Sequence, residues 1–328
     1  VYTGFGQSSI TNISVIEIKT DVPRIDFTDD TTGHLLLEPQ STNIISYSED
    51  FSNAYWAKTD VSIQSGYIAP DGTNSAYKVT KIGSNAHLVN VTTGGHTATK
   101  SIFAKTTSGT GTIILFNNVN TYFTITEEWQ RFDIQHNGLD FFYAADFRGD
   151  STLTEIIIWG AQSEALSYPT SYIPTSGSAV TRNQESCNNS GTVNDFNSEE
   201  GVLYADISAL ADDLTNRFIS LTDGTQNNSV CLFYGGGSSN FIRSEIKSNN
   251  VTQAELTTTS YPITNFNKIA VKYKGNDFAL WVNGVEVATD TSGSTPIGLN
   301  DLSFDRANIL DFYGKTKNLK VFKRALTD

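Results

Sequence analysis

The sequence is poor in charged residues. Asp, Glu, Lys and Arg make up 17% of its 328 residues, whereas about 25% is usual for soluble domains. Ser, Thr, Asn and Gly supply most of the polarity instead, beside a hydrophobic share of 38%. Because Thr favours strands and Ser, Asn and Gly favour turns, the composition argues against long solvated helices and predicts an all-β protein.

Basic residues are scarcer than acidic ones. There are 22 Lys and Arg against 35 Asp and Glu, which gives a net charge of −13 and an isoelectric point near 4.7. Such a field repels phosphate backbones and anionic lipid, so we expect no nucleic-acid partner. It also argues against a strongly acidic polysaccharide as ligand, unless divalent cations bridge the two.

Cysteine and long apolar runs are nearly absent. The only two cysteines, Cys187 and Cys231, are too few for a disulfide framework. The sequence leaves open whether they form one bridge or remain two free thiols. No apolar run approaches the ~20 residues that a membrane span requires, so we expect no membrane insertion.

Three regions differ in composition and hydrophobic pattern, and a polar stretch without periodicity separates the last two. The predicted divisions are an N-terminal connecting or attachment segment over 1–37, a β-rich block over 38–182, a linker over 183–195 and a second β-rich block over 196–328. Leu35, Leu36 and Leu37 form a short apolar run that predicts a buried strand.

Both blocks show many short strands with turn residues between them. In the second block, Ile269, Val271 and Tyr273 alternate with polar residues and predict a half-buried strand. Asn283-Gly284 nearby is a type I′ hairpin signal. In the first block, the continuous apolar run over 155–159 predicts a strand buried on both faces. Regularly spaced short strands favour a pair of antiparallel β-sandwiches in tandem.

The second block resembles the laminin-G-like, concanavalin A-type lectin/glucanase fold. The residues that carry this resemblance are Ile269 to Tyr273, the hairpin Leu280 to Val285, and the closing segments Tyr313 to Lys315 and Val321 to Leu326. The resemblance covers roughly residues 196–328 and implies a two-sheet sandwich.

The first block resembles the carbohydrate-binding-module-like jelly rolls of phage tail and head-fibre proteins and of some bacterial surface proteins. The matching segments are Leu35 to Asn43, Tyr47 to Ser52, Tyr55-Trp56, Ala69 to Gly72, Trp129 to Arg131, Trp159 to Gln162, Tyr168 to Gly177 and Val180 to Arg182. The resemblance implies a module attached to a virion or cell surface, commonly in a symmetric trimer. It implies no particular sugar.

Catalytic patterns are missing. A sandwich-fold glycosidase needs two carboxylates that flank one bond, but the acidic pairs here are adjacent in sequence, which sends their side chains to opposite strand faces. The segment 243–247 weakly suggests an alginate lyase. Such an enzyme needs a catalytic histidine in the same sandwich, but the last histidine of this chain, His136, lies outside the second block. We therefore predict a protein that is not an enzyme.

Calcium is the metal to consider, because both kinds of sandwich often hold one with carboxylates and loop carbonyls. Candidate ligands are the acids of predicted loops: Glu49, Asp50, Asp71, Asp223 and Asp301. The competing interpretation is that each carboxylate only caps a turn.

Glycan binding uses exposed aromatic faces beside hydrogen-bonding groups, because the C–H face of a sugar ring packs on a π surface. Candidates are Tyr55, Trp56, Tyr122, Tyr143, Tyr234, Arg243 and Trp281. Trp281 alternates with Leu280 and Val282, so it either packs on a second surface or forms an exposed platform.

The leading hypothesis from these resemblances is a fibre, spike or capsid-decoration subunit at the virion surface. Its partners would be host cell-surface polysaccharide, other virion proteins and further copies of itself. Two alternatives remain open: a purely structural virion subunit that binds no sugar, and the binding modules of a secreted or surface-bound bacterial polysaccharide-degrading enzyme.

Overall fold

The computed structural model describes residues 24–27, 31–91, 97–116, 121–137 and 141–326. Every regular element in these ranges is a β-strand, which confirms the all-β prediction. No helix among these residues is long and apolar enough to cross a membrane. The strands assemble into two sandwiches, each built from two packed antiparallel sheets.

The first sandwich contains two five-stranded sheets, in the orders β10-β9-β12-β7-β4 and β11-β8-β13-β6-β5. Its strands are β4 (Ala57–Thr59), β5 (Val61–Tyr67), β6 (Ala76–Lys81), β7 (His87–Val91), β8 (Thr97–Lys105), β9 (Gly111–Ile114), β10 (Tyr122–Ile125), β11 (Gln130–Asn137), β12 (Phe141–Asp146) and β13 (Glu155–Glu164). A small ladder joins β3 (Ser41–Asn43) to β14 (Val180–Arg182). The predicted central strand is confirmed, because Ile156 to Trp159 are all buried within β13.

The second sandwich packs a seven-stranded sheet, in the order β1-β2-β24-β15-β20-β21-β22, on a five-stranded sheet, in the order β19-β18-β17-β16-β23. Its strands are β1 (Arg24–Asp26), β2 (His34–Leu37), β15 (Glu200–Ala209), β16 (Arg217–Thr222), β17 (Ser229–Tyr234), β18 (Ile242–Ser248), β19 (Val251–Thr258), β20 (Asn267–Lys274), β21 (Phe278–Val282), β22 (Val285–Asp290), β23 (Asp301–Ser303) and β24 (Gly314–Phe322).

The patterns read from the second block are confirmed. Ile269, Val271 and Tyr273 of β20 are each fully buried in the core between the sheets. Asn283 and Gly284 connect β21 to β22 with φ angles of 53° and 83°, the left-handed pair that a type I′ turn requires.

The N-terminal segment belongs to the second sandwich. Strand β2 pairs with β24, with Leu35 opposite Thr316, and Leu37 lies in the second core with 1% exposure. Residues 24–26 and 34–37 are therefore sheet strands, not the connecting segment that the sequence predicted. In chain order, β1 and β2 belong to the second sandwich, β4 to β13 form the first sandwich, and β15 to β24 complete the second.

Charged side chains lie buried where the sandwiches meet. The Glu38 amide donates to Glu185 Oε2 over 2.9 Å, and the Ser171 amide donates to Glu38 Oε1 over 2.9 Å. Arg182 Nη1 lies 2.6 Å from Glu38 Oε2, and Arg24 forms ion pairs with both glutamates. Since Glu185 is only 2% exposed, this part of the predicted linker over 183–195 is built into the junction.

Candidate functional site

The candidate site lies on the face of the seven-stranded sheet that points away from the core. Because side chains alternate along a strand, Leu203, Ala205 and Ile207 of β15 enter the core. Tyr204, between them, points outward and is partly exposed. By the same alternation, Ala270 of β20 and Trp281 of β21 lie on the outer face and are partly exposed.

Strand register places these three residues in one row. Tyr204 lies opposite Ala270, and Ala270 lies opposite Trp281. Neighbouring strands are about 4.8 Å apart, so the two aromatic side chains stand roughly 10 Å from each other. The small Ala270 side chain leaves a trough between them. This groove has a volume of about 400 Å³ and is lined by Val202, Tyr204, Lys268, Ala270, Lys272, Trp281, Gly284 and Leu326.

The trough continues over β24. A second part of about 210 Å³ shares Val202, Tyr204, Ala270 and Leu326 with the first part and is completed by Lys320 and Phe322. Phe322 is 38% exposed and Leu326 is 52% exposed. We call both parts together the aromatic groove. Contiguous exposed apolar surface of this kind is typical of binding sites.

Ammonium groups border the aromatic groove. Lys320 Nζ lies 6.0 Å from the centre of the Tyr204 ring, and Lys268 is exposed on the opposite side. Lys272 is buried and its Nζ lies 2.9 Å from Asp277 Oδ1. Desolvation, with the nearby Asp206 carboxylate, raises the pKa of Tyr204. Its hydroxyl therefore stays protonated at neutral pH and can both donate and accept.

This arrangement is suited to binding a sugar ring. The aromatic faces can pack on the C–H face of a sugar ring, while lysine ammonium groups donate hydrogen bonds to its oxygens. The lining residues of both parts of the groove include no carboxylate, so the groove holds no acid–base pair of the kind that glycoside hydrolysis uses.

Of the predicted glycan-binding residues, Trp281 lies in the aromatic groove. The geometry favours an exposed Trp281 platform over a Trp281 side chain packed on a second surface. The predictions for Trp56 and Tyr234 are wrong, because both side chains are core residues with 1% and 0% exposure. Trp56 Nε1 donates to the Tyr47 carbonyl, and the Tyr234 hydroxyl donates to the Ile207 carbonyl.

The remaining aromatic candidates are engaged in their own sandwich. Tyr143 is 7% exposed and its ring contacts Arg148 and His87, so it cannot form a platform. The hydroxyls of Tyr55 and Tyr122 accept hydrogen bonds from backbone amides, at 3.3 and 2.7 Å.

Arg243 is also engaged. Its guanidinium lies 5.2 Å from the centre of the Phe233 ring and forms ion pairs with Glu245 and Glu255. It lies on β18, in the five-stranded sheet, and is therefore not part of the aromatic groove.

Four of the five predicted calcium ligands accept hydrogen bonds from residues close by in the sequence. Asp50, Asp71 and Asp223 each accept a hydrogen bond from the amide two residues later, and Asp301 accepts one from the Ser303 hydroxyl. The hydrogen bond from the Ser52 hydroxyl lowers the pKa of Asp50. In the described ranges, no three His, Cys, Asp or Glu side chains converge as metal ligands. For Asp50, Asp71 and Asp223, the geometry is that of turn-capping carboxylates, whereas Asp301 is the first residue of β23.

Glu49 and Asp50 do meet in a second, polar cleft of about 320 Å³ on the first sandwich, between Tyr47 and Tyr77. The Tyr172 hydroxyl donates to Glu49 Oε1 over 3.0 Å. Burial raises the pKa of the Glu49 carboxyl, which disfavours the ionised form that a calcium ligand needs.

Sequence reasoning missed Tyr204 and the lysines beside it. The alternation over 202–206 could have placed Tyr204 on an outer face. Only the register of β15 against β20 brings it to Trp281, 77 positions along the chain.

Comparison with known proteins supports a lectin-like second sandwich. Residues 207–328 match the family model of the concanavalin A-like lectin/glucanases superfamily. This match confirms the resemblance predicted for the second block. No curated protein matches the sequence.

Solved structures of low sequence identity are also similar. One is the sialidase module CBM40 of Ruminococcus gnavus, with 15% identity, a TM-score of 0.36, and coverage of 43% of this chain and 89% of that one. Another is the Caenorhabditis elegans galectin LEC-6, with 12% identity, a TM-score of 0.30, and coverage of 42% and 89%. A third is a pentraxin from Limulus polyphemus, with 10% identity, a TM-score of 0.31, and coverage of 43% and 68%.

Proposed function

We propose that this chain is a carbohydrate-binding protein that holds a glycan in the aromatic groove. The observation that carries the proposal is the pair of outward aromatic side chains, Tyr204 and Trp281, on either side of Ala270. The superfamily match over residues 207–328 supports it. In this proposal each aromatic face packs on one sugar ring, and Ala270 forms the floor beneath the linkage.

The proposal is one of binding without turnover. A polymer cleaved in the groove would need a proton donor and a nucleophile or base near one bond. The groove offers ammonium and phenol groups instead, and the phenol of Tyr204 has a raised pKa that leaves it a poor base at neutral pH.

We further propose that the chain acts at the surface of a virus particle, as an adhesion subunit that binds host polysaccharide and assembles with copies of itself. The support is the resemblance of the first block to the jelly rolls of phage fibre proteins.

Mass spectrometry of purified virus particles should detect the chain, and antibody against the chain should reduce adsorption of the particles to host cells. Detection in particles without an effect on adsorption would favour the purely structural subunit. Absence from particles would favour the bacterial accessory module.

Glycan binding is tested by screening the full chain on a glycan array and titrating the best ligand by calorimetry. Trp281→Ala and Tyr204→Ala should each weaken binding about tenfold or more, equivalent to ~1.4 kcal/mol. The matched control is Phe141→Ala, an exposed aromatic of the first sandwich with 37% exposure. It should leave affinity unchanged. Wild-type affinity in both groove variants would refute the site.

A further inference from the structure

We infer that the glycan taken by the aromatic groove is anionic, with carboxylate or sulfate groups on its sugars. This inference rests on the proposed function and adds the ligand's chemical class. The supporting observation is a concentration of lysine on two strands, β20 and β24, that both pair with β15.

These two strands are basic in an acidic protein. Strand β20 reads NKIAVKYK and β24 reads GKTKNLKVF, so each contains three lysines and no acidic residue. The whole chain has 35 acidic residues against 22 basic ones. Because β15 lies between β20 and β24, the lysines border Tyr204 from both sides.

The lysines project on the same outer face as the groove. Lys268 and Lys272 line its first part, and Lys320 lines its second part. Lys315 and Lys317 line a further hollow of about 500 Å³ beside Ser208 of β15. A chain of sugar rings that left the groove along β24 would meet these ammonium groups next.

Acidic side chains of this face lie outside the groove lining. Asp206 is the strand partner of Lys268, and Glu286 is the strand partner of Trp281. The other acids form ion pairs with lysines: Asp277 with Lys272, Glu200 with Lys274, and Asp26 with Lys315. Among the residues that line the groove, Lys268 and Lys320 are the exposed charges.

The net charge of −13, which argued against an acidic polysaccharide at the level of the sequence, does not outweigh this arrangement. Salt screens charges more than about 8 Å apart at physiological ionic strength. A ligand bound between Tyr204 and Trp281 lies next to the lysine side chains. The electrostatic field of these lysines therefore determines which ligand charge the groove favours.

Size and shape favour a glycan over other anions. A trough of about 400 Å³ between two aromatic walls has the dimensions of a small-molecule or oligosaccharide site. Nucleic acid and anionic membrane would instead require a longer or flatter basic surface.

The test compares acidic oligosaccharides with their carboxyl-reduced or desulfated forms, which keep the same linkages without the charge. Calorimetry on the full chain should show binding of the acidic form at least about tenfold tighter than the neutral form. Raising NaCl from 50 to 500 mM should abolish most of that difference, because salt screens exposed charges.

The double variant Lys268→Gln, Lys320→Gln should lose about tenfold in affinity for the acidic form and little for the neutral form. The matched control, Lys81→Gln with Lys105→Gln on the first sandwich, removes the same charge and should bind like the wild type.

The outcomes separate this inference from the proposed function. Equal affinity for acidic and neutral forms, lost in Trp281→Ala, would overturn the inference and leave glycan binding intact. No binding of either form across the panel would overturn both. Lysine-dependent binding of anionic vesicles or single-stranded DNA, without any glycan binding, would also overturn both and identify another partner.

Discussion

Residues of one type play opposite roles in this protein, and the local backbone around each residue decides which. Trp56 and Trp281 both occur beside small and apolar neighbours in sequence, yet Trp56 is 1% exposed in the first core and Trp281 lines an open groove. The short segment around Trp56 gives no alternation from which its direction could be predicted. At Trp281, the buried neighbours Leu280 and Val282 fix the outward direction.

Thiol reactivity tests the environment of single residues. Both cysteines are free thiols; Cys231 is fully buried, and burial raises its pKa to about 11. Burial also raises the pKa of the half-buried Cys187. Because thiolate is the reactive form, we expect no modification of Cys231 and slow modification of Cys187 by iodoacetamide at pH 8 in the folded chain.

In denaturant without reductant, a thiol assay should count two free cysteines. A count of zero would establish a disulfide between them and contradict the structure.

Individual strands and turns form where local sequence patterns predict them. Which strands pair in a sheet, by contrast, depends on residues far apart in the chain. The hairpin between β21 and β22 follows from Asn283-Gly284, since these residues tolerate left-handed φ angles. The row of Tyr204, Ala270 and Trp281, by contrast, depends on pairing between strands more than 60 positions apart. No local pattern specifies that register, which is why the groove could not be predicted.

The hairpin offers a prediction at the scale of one element. Gly284→Ala should lower the free energy of unfolding of the second sandwich by about 1–2 kcal/mol, because a left-handed φ strains any residue with a Cβ. Nothing lies within 4 Å of the added atom, so the loss is conformational. The matched control is Gly275→Ala in the preceding turn, where space is also open and φ is not left-handed. Equal urea-denaturation midpoints for the two variants would contradict this account.

The whole molecule is two sandwiches joined through a buried ionic junction. Composition and hydrophobic alternation predicted the two blocks and their strands. They did not predict that β1 and β2 belong to the second sandwich, because the pairing of β2 with β24, which brings β1 along, spans nearly the whole chain. Nor did they predict the junction, since Glu38 and Glu185 look like ordinary polar surface residues until the fold buries them together.

The junction is testable by removing its shared acid. Glu38→Ala should destabilise the chain by about 3 kcal/mol, because it removes a buried carboxylate that pairs with Arg182 and Arg24 and accepts the Ser171 amide. Protease should then cleave faster within residues 183–195. Glu128→Ala, at an exposed glutamate of the first sandwich, should change neither stability nor cleavage. Identical behaviour of the two variants would show that Glu38 does not hold the sandwiches together.

Glycan binding between Tyr204 and Trp281 is the central claim, and a crystal structure of the full chain with its best array ligand tests it most directly. We expect sugar rings packed on these two aromatic faces, with Ala270 beneath and an acidic group near Lys268 or Lys320. A ligand bound on the first sandwich or on the five-stranded sheet, with the aromatic groove empty, would contradict it.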